Sequence, residues 1–146
     1  MTNKQIKDEA DRTAPVKTDL FPLDDAAGGT WSQSRASMDR KIRVTVTQSA
    51  TPTFNTDNGD VFVIDSLAQA ITNMTTNMSG TPSQGDMILF EITDNGTARA
   101  IAWGIGFVAT TGTALPTTTV LGKTLIVLFE RTGASTWRCL SSTSDV

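Results

Sequence analysis

The tripeptide Gly122-Lys123-Thr124 is the part of this sequence that most resembles a catalytic motif. Gly-Lys-Thr also ends the loop with which many nucleotide-binding proteins hold phosphate. That loop needs an earlier glycine and a following helix, because backbone amides at the helix N-terminus bind the phosphate. Here Thr117 occupies the earlier glycine position, Pro116 beside it has no amide hydrogen, and the strand-like run 125–129 follows. The sequence therefore predicts a bend before a buried strand, not a nucleotide site.

Other residues that could perform catalysis are scarce. The chain has no histidine, which removes the commonest general base and a common metal ligand. Its single cysteine, Cys139, has no second thiol to bridge and no histidine to activate it, so we predict a small core residue. Gly104 and Gly106 lack the third glycine and the strand-helix-strand context of a dinucleotide site. We interpret them as a bend in a strand and predict a protein that is not an enzyme and uses no cofactor.

The carboxylates give no clear metal or acid–base site. The segment 57–60, Asp-Asn-Gly-Asp, resembles part of a calcium loop but lacks its twelve-residue spacing and terminal glutamate. A weakly bound surface ion at this segment is the alternative. Asp86, Glu91 and Glu130 lie at predicted strand edges or near basic residues, and their spacing does not indicate a glycosidase pair. We therefore predict no catalytic residue and no metal ligand.

The composition predicts one small β-rich domain with an N-terminal extension. The chain has 146 residues, 38% of them hydrophobic, and is rich in threonine, valine, isoleucine and glycine. This mixture favours strands and turns over helices. A net charge of −3 argues against nucleic-acid binding. The polar start does not resemble a signal peptide and no stretch is long enough to insert into a membrane, so we expect a soluble protein made in the cytoplasm.

The first 48 residues are predicted to form an arm and a small anchoring unit. Residues 1–18 carry mixed charges without an apolar face, which is typical of an extended arm that becomes ordered on a partner. Residues 19–48 begin with a short apolar strand at 19–23 and an acid- and glycine-rich turn. A return strand at 31–34 and a helical turn capped by Ser37 follow.

Residues 50–146 are predicted to form an antiparallel β-sandwich or jelly-roll-like domain. Apolar residues alternate with polar ones at 42–46, just before this domain, and an apolar run at 60–64 suggests a second strand. The turn Asp94-Asn95-Gly96 lies between two strand-like runs and predicts a hairpin over residues 87–103. With a three-residue loop, its glycine takes the left-handed position of a bulge.

The register of that hairpin predicts the core. It places Glu91 opposite Arg99 as an ion pair. One face is entirely apolar and should be buried, and the other should be covered by a further surface. The core face carries Ile88, Phe90, Ile92, Ala98, Ala100 and Ala102, and the second face carries Leu89, Ile101 and Trp103.

A second hairpin is predicted at the C-terminal end. The run 125–129 is apolar at every position, which predicts a strand buried on both faces, inside the sandwich or at a subunit interface. It leads into the turn 133–135, and the return strand follows. A three-residue loop places three pairs of residues opposite each other: Glu130 and Arg138, Phe129 and Cys139, and Leu128 and Leu140.

Three segments together resemble a β-rich module of tailed-bacteriophage virion proteins. Residues 85–107 contain an apolar strand, an Asp-Asn-Gly turn and Arg-Ala-Ile-Ala-Trp, and residues 114–124 contain Leu-Pro-Thr-Thr-Thr and Gly-Lys-Thr. Residues 135–140, Ser-Thr-Trp-Arg-Cys-Leu, resemble its final strand. The elements come in the order of that module, and the resemblance covers residues 50–143. Residues 18–38 are similar, over a shorter stretch, to the connector units of tail-fibre proteins.

The resemblance implies a homotrimeric structural protein of the virion, made in the cytoplasm of the bacterial host and bound to other virion proteins of the capsid, neck or tail. The leading interpretation is a head or neck fibre or a capsid decoration protein. The alternative is a tail-fibre or baseplate receptor-binding or adaptor protein that contacts the host surface, with a host glycan as a ligand, through loops at 79–85 or 109–119. A free carbohydrate-binding module is a third interpretation. The implied virion-anchoring residues are Leu20, Phe21, Leu23 and Trp31, and the implied trimer-interface residues are Leu89, Ile101, Trp103 and Ile126.

Overall fold

A computed structural model of the chain describes residues 20–24, 30–34 and 41–145. The arm predicted at 1–18 and the helical turn predicted after Ser37 lie outside the described residues. The chain divides into two compact units.

The boundary between the two units falls between residues 40 and 41. The first unit contains two strands, β1 (Leu20–Asp24) and β2 (Thr30–Ser34), which pair antiparallel with Leu23 opposite Trp31. Both predicted strands of the anchoring unit are thus confirmed. The strand predicted at 42–46 belongs to the second unit, although the sequence-based boundary grouped it with the first.

The second unit is built from strands, and no helix occurs among its described residues. The prediction of a mostly β protein is therefore confirmed. Its strands are β3 (Arg43–Thr45), β4 (Thr53–Asn55), β5 (Val61–Leu67), β6 (Asn77–Ser79), β7 (Met87–Asp94), β8 (Phe107–Val108), β9 (Thr124–Gly133) and β10 (Thr136–Ser144).

Residues 41–103 wind through three turns of a short β-solenoid, which we call the parallel coil. Strands β3, β5 and β7 begin the three turns and lie side by side in parallel. On another side, the amide of Thr72 donates to the carbonyl oxygen of Ala50 at 2.8 Å, and Ile71 forms a parallel bridge with Ile101. On a further side, β4 pairs in parallel with β6. Each turn therefore stacks on the one before it.

After the coil the chain reverses direction. Strand β9 pairs antiparallel with β7, β10 pairs antiparallel with β9, and β8 adds in parallel to the free edge of β10. The resulting six-stranded sheet has the order β3-β5-β7-β9-β10-β8. One sheet thus joins the parallel coil to an antiparallel pair, β9 and β10, which we call the C-terminal hairpin.

An aromatic cluster fills the centre of the core. Phe90 on β7 is fully buried in it. Since each aromatic side chain buries roughly 150–250 Å², this cluster dominates the hydrophobic stabilisation. The ring centroid of Phe90 lies 5.2 to 6.1 Å from those of Phe54, Phe62, Trp103, Phe107 and Phe129. The core is completed by Val46, Ile64, Leu67, Ile71, Met74, Ile88, Ile92, Ile101, Leu125, Val127, Trp137 and Cys139.

The predicted antiparallel sandwich or jelly-roll is corrected to this solenoid, and the error arises at the turn after β7. Gly96 does adopt a positive φ of 89°. However, the Asp94 carboxylate accepts hydrogen bonds from the amides of Gly96 and Gly122 and from the Thr119 hydroxyl. The chain after Gly96 therefore runs beside the segment 117–119, as shown by the Ile101 amide donating to the Thr117 carbonyl. No hairpin forms over 87–103, and β7 pairs with β5 and β9 instead.

This change exchanges the two predicted faces of residues 98–103. Ile101 and Trp103 point into the core and are each 4% exposed, so the prediction that they lie on a second, externally covered face is wrong. The predicted core residues Ala98, Ala100 and Ala102 are exposed. Glu91 pairs with Arg43 and not with Arg99.

The C-terminal hairpin follows its predicted register over half of its length. Glu130 lies opposite Arg138 and Phe129 opposite Cys139, as predicted. The loop has two residues, because Gly133 pairs with Thr136, and an irregularity between Thr136 and Trp137 restores the predicted register. A second irregularity between Cys139 and Ser141 places Leu128 opposite Ser141, so its predicted pairing with Leu140 is wrong.

Candidate functional site

The face of the six-stranded sheet that points away from the core carries an apolar strip. Successive side chains of a strand point to opposite faces, so the residues between the core positions of β5, β7 and β9 lie on this outer face. The register aligns Val61 with Leu89 and Leu89 with Leu128. Two residues away on each strand, it aligns Val63, Glu91 and Ile126 in a second row. We call the five apolar residues the outer strip: Val61, Val63, Leu89, Ile126 and Leu128.

Two ion pairs lie on the same face of the sheet as the outer strip. The guanidinium of Arg43 on β3 contacts the carboxylate of Glu91 on β7 through two nitrogens, at 2.5 and 2.6 Å, and this hydrogen bonding raises the pKa of Arg43. Because β5 lies between β3 and β7, the Arg43 side chain crosses β5, which accounts for the burial of Val63. At the edge of the strip towards β10, Arg138 Nη2 lies 2.7 Å from Glu130 Oε2. The first ion pair therefore crosses the strip between Val63 and Ile126, and the second lies beside it.

The other members of the outer strip are only half-buried. A shallow groove of about 190 Å³ runs along the strip where β7 begins, and Val61, Leu89 and Leu128 line it together with Met87. Lys41 and Asp60 also line this groove. A second apolar surface placed here would remove these partly exposed side chains from water.

The structure separates the four residues predicted at a trimer interface. Leu89 and Ile126 lie on the outer face, whereas Ile101 and Trp103 are core residues that have no surface to offer a second copy. Trp103 also donates its indole hydrogen to the carbonyl oxygen of Pro116 at 2.7 Å. Sequence reasoning missed Val61, Val63 and Leu128, although all three lie in runs that it recognised as strands. The signal that could have identified them is that apolar residues occupy consecutive positions in these runs, so both faces of each strand are apolar.

The predicted anchoring residues lie on the two paired strands of the first unit. Leu20, Phe21 and Leu23 are on β1, and Trp31 is on β2 opposite Leu23. The backbone pairing therefore brings Leu23 and Trp31 together. Phe21 lies opposite Gln33, and Leu20 opposite Ser34.

A second surface feature is a pocket of about 370 Å³ at the end of the coil where β3, β5 and β7 begin, which we call the terminal pocket. Two carboxylates on its wall are oriented by backbone amides. Asp60 Oδ2 accepts a hydrogen bond from the Ile42 amide at 3.0 Å, and Asp86 Oδ2 accepts one from the Ser83 amide at 2.6 Å. The full lining consists of Lys41, Thr56, Gly59, Asp60, Pro82, Gly85, Asp86, Met87, Ile88 and Trp137.

Trp137 is the most unusual residue of the terminal pocket. Its side chain is fully buried, yet Nε1 has no hydrogen-bond partner among the described residues. The guanidinium carbon of Arg131 lies 5.3 Å from the ring centroid, within range of a cation–π contact. A buried donor without an acceptor costs about 1–3 kcal/mol. The indole of Trp137 therefore differs from that of Trp103, which is satisfied by a backbone carbonyl.

Asp94 and Thr119 form a buried polar pair at the opposite end of the sheet. The Thr119 hydroxyl donates to Asp94 Oδ2 at 2.7 Å and accepts from the Arg99 amide at 2.8 Å. This hydrogen bond, together with those from the amides of Gly122 and Gly96, lowers the pKa of Asp94. Since every contact is internal, the pair fixes the turn after β7 against the segment before β9. Gly122 has a φ of 68°, which confirms the predicted bend before the strand.

The remaining reactive groups have structural roles. Cys139 is buried, as predicted, and burial raises the pKa of its thiol. Asp57 accepts hydrogen bonds from the amide and hydroxyl of Thr81. Within the described residues, no three carboxylate or thiol groups come together as a metal site. Nor does this part of the chain contain a helix long and apolar enough to span a membrane.

Comparison with other proteins adds no family to these observations. No protein-family model matches the chain, and neither a curated protein nor a solved structure is similar enough to count as a match.

Proposed function

We propose that this protein is a non-catalytic structural protein of a tailed-phage virion, a head or neck fibre or a capsid decoration protein. It docks to another virion protein through its first unit and displays a homotrimeric β-solenoid domain. The resemblance of residues 50–143 to a virion module supports the class of protein. The single structural observation that supports the assembly is the outer strip, an apolar surface on a face of the sheet that has no partner within the described residues.

The outer strip has the properties of a surface that binds another copy of itself. Its apolar centre gains about 25 cal/mol for each Å² that a neighbouring copy removes from water. On the same face, the Arg43–Glu91 pair crosses the strip and the Arg138–Glu130 pair lies at its edge. Because each of these charges is already paired, three copies of the strip can meet at a threefold axis, one edge of each against the other edge of the next, without burying an unpaired charge.

Light scattering of the full chain tests the assembly. We expect a particle of three times the 15.6 kDa chain mass at micromolar concentration. Changing Leu89 and Ile126 together to serine should produce monomers that retain the β-type circular dichroism spectrum. The matched control changes Val120 and Leu121, which are 49% and 59% exposed and precede β9, to serine and should remain trimeric. A monomeric wild-type protein would contradict the assembly.

Electron microscopy of the intact particle tests the virion role. A decoration protein should be present in many copies on the capsid, and capsids without it should lose physical stability and still adsorb to cells. Removing residues 1–18, or changing Leu23 and Trp31 to serine, should prevent incorporation. Unchanged incorporation of both variants would contradict docking through the first unit.

The second candidate function is a tail-fibre or baseplate receptor-binding or adaptor protein. The observation that favours it is the terminal pocket, whose lining includes Pro82 and Gly85 from the loop predicted to contact the host. Such a protein should be present in few copies at the tail, and the purified chain should compete with phage for cells. A decoration protein should not compete.

A further inference from the structure

We propose that the terminal pocket binds a neutral saccharide unit through its hydroxyl groups. This proposal does not rest on the function proposed above, because the pocket and its chemistry belong to a single chain. Three properties of the lining carry it: two oriented carboxylates, donors beside them, and a buried indole N–H without an acceptor.

Asp60 and Asp86 immediately precede β5 and β7, and their backbones are hydrogen-bonded to the sheet. The carbonyl of Asp60 accepts from the Leu89 amide, and that of Asp86 accepts from the Arg131 amide, each at 2.8 Å. With each Oδ2 bonded to an amide, the direction of each Oδ1 is also set. Among the described residues no group donates a hydrogen bond to either Oδ1. Oriented carboxylate oxygens of this kind are strong acceptors for hydroxyl hydrogens.

Donors complement these acceptors. Lys41 Nζ lies 4.0 Å from Asp60 Oδ1, and its side chain is 71% exposed at the rim. Trp137, which lines the pocket, contributes a buried indole N–H without an acceptor. Met87 lines the same pocket, is 46% exposed and has an unbranched, adaptable side chain that can move as a ligand enters.

The mixture of acceptors and donors selects the chemical class of the ligand. Each sugar hydroxyl both donates and accepts, so different hydroxyls of one sugar unit can donate to the two carboxylates and accept from the indole. An anion would face two carboxylates and only one ammonium group. A metal ion could use the carboxylates but would leave the indole N–H without an acceptor. The volume of about 370 Å³ lies at the small end of the roughly 300–1,000 Å³ seen for small-molecule sites, which suits one or two sugar units.

The indole N–H resonances of the full chain, labelled with ¹⁵N at tryptophan, provide the test. The chain has three tryptophans, and Trp137→Phe identifies the resonance of interest. Titration with glucose, galactose, mannose or N-acetylglucosamine up to roughly 50 mM should shift the Trp137 resonance saturably for at least one sugar. The Trp103 resonance should stay in place because that indole is already bonded to Pro116.

Two variants and a matched control locate the binding. Asp60→Asn and Asp86→Asn should each weaken the affinity for the sugar about tenfold. Lys41→Ser should weaken the affinity for the sugar less than either aspartate variant does. Because the Lys41 side chain is exposed, this variant should fold and can still locate the binding if an aspartate variant does not fold. Asp65→Asn makes the same change of charge at an exposed position outside the pocket and should leave the affinity within about twofold.

Several results would overturn the proposal. One is a Trp137 resonance that no neutral sugar moves. Another is a sugar-induced shift that survives both aspartate changes. A third is glucuronic acid binding as tightly as glucose, and a fourth is calcium alone producing the shift, since a cation site would then explain the carboxylates. None of these measurements depends on virion location or on trimer formation, so each proposal can fail separately.

Discussion

The parallel coil and the C-terminal hairpin share one sheet and one core, but their contacts span very different lengths of chain. In the coil, Val61 pairs with Arg43 on one side and with Leu89 on the other, 18 and 28 residues away. In the hairpin, Gly133 pairs with Thr136 across a two-residue loop. A local turn can therefore set the register of the hairpin, whereas each coil strand is placed only when a complete turn of the coil has closed. The coil depends more strongly on the finished tertiary structure.

The largest effect is expected where the two regions share the core. Phe90→Ala removes the ring that contacts coil residues such as Phe62 and the hairpin residue Phe129. We expect a loss of about 3–5 kcal/mol in the free energy of unfolding, measured by urea denaturation. Leu121→Ala, at an exposed side chain, should change it by less than about 0.5 kcal/mol. A loss at Phe90 below about 1.5 kcal/mol would show that the two regions do not depend on a common core.

A smaller effect is expected where the end of the coil meets the hairpin. Gly106 has a φ of 107°, and a Cβ there would lie 2.6 Å from the Ser135 carbonyl oxygen. Gly106→Ala should therefore cost about 3 kcal/mol. At Gly122, φ is 68° but no atom lies within 4 Å of an added Cβ, so Gly122→Ala should cost only about 1 kcal/mol. If urea denaturation shows the same loss of stability for both variants, the positive φ alone, and not the clash with Ser135, accounts for the cost at Gly106.

The next effect concerns Asp94, which ties the last strand of the coil to the first strand of the hairpin. Its pKa is lowered on folding, so its ionised form contributes stability that is fully present above the unfolded value of about 3.9. That contribution is lost as pH falls through the lower folded pKa. Asp94→Asn should reduce the urea midpoint at pH 7 and make it depend less on pH below about 4. Asp65→Asn is the control and should preserve the wild-type dependence; an unchanged acid response of Asp94→Asn would contradict the assigned role.

The smallest effect is expected on the surface of the hairpin. A double-mutant cycle with Glu130→Gln and Arg138→Gln should give a coupling of about 0.2–1 kcal/mol, because both side chains are partly exposed. The coupling should fall with added salt, since exposed charges are screened. Urea denaturation of the four proteins at low and high salt measures it. A coupling that does not change with salt would show that the pair acts through packing.

The strands were largely predictable from local pattern. The runs at 60–64 and 125–129 form strands, and Cys139 is buried. The alternation predicted at 42–46 holds in part, because Val46 is buried and Val44 is half-buried, but Ile42 is 51% exposed. Of the candidate sites, Leu89 and Ile126 were correctly placed on a face outside the core. Ile101 and Trp103 were not, because their orientation followed from a hairpin that the hydrogen bonds of Asp94 prevent.

The sequence by itself determined the strands with a strong local pattern, β5, β7, β9 and β10, and the alternation of their side chains between two faces, because a pleated strand imposes a period of two on its own residues. It also determined the hairpin register near Glu130 and Arg138, where the partners are close along the chain. Only the tertiary structure decided that β3, β5 and β7 run in parallel, since the alternation of side chains is the same in either direction. For the same reason it alone assembled the outer strip and the terminal pocket, whose residues come from separate turns of the coil and from the hairpin.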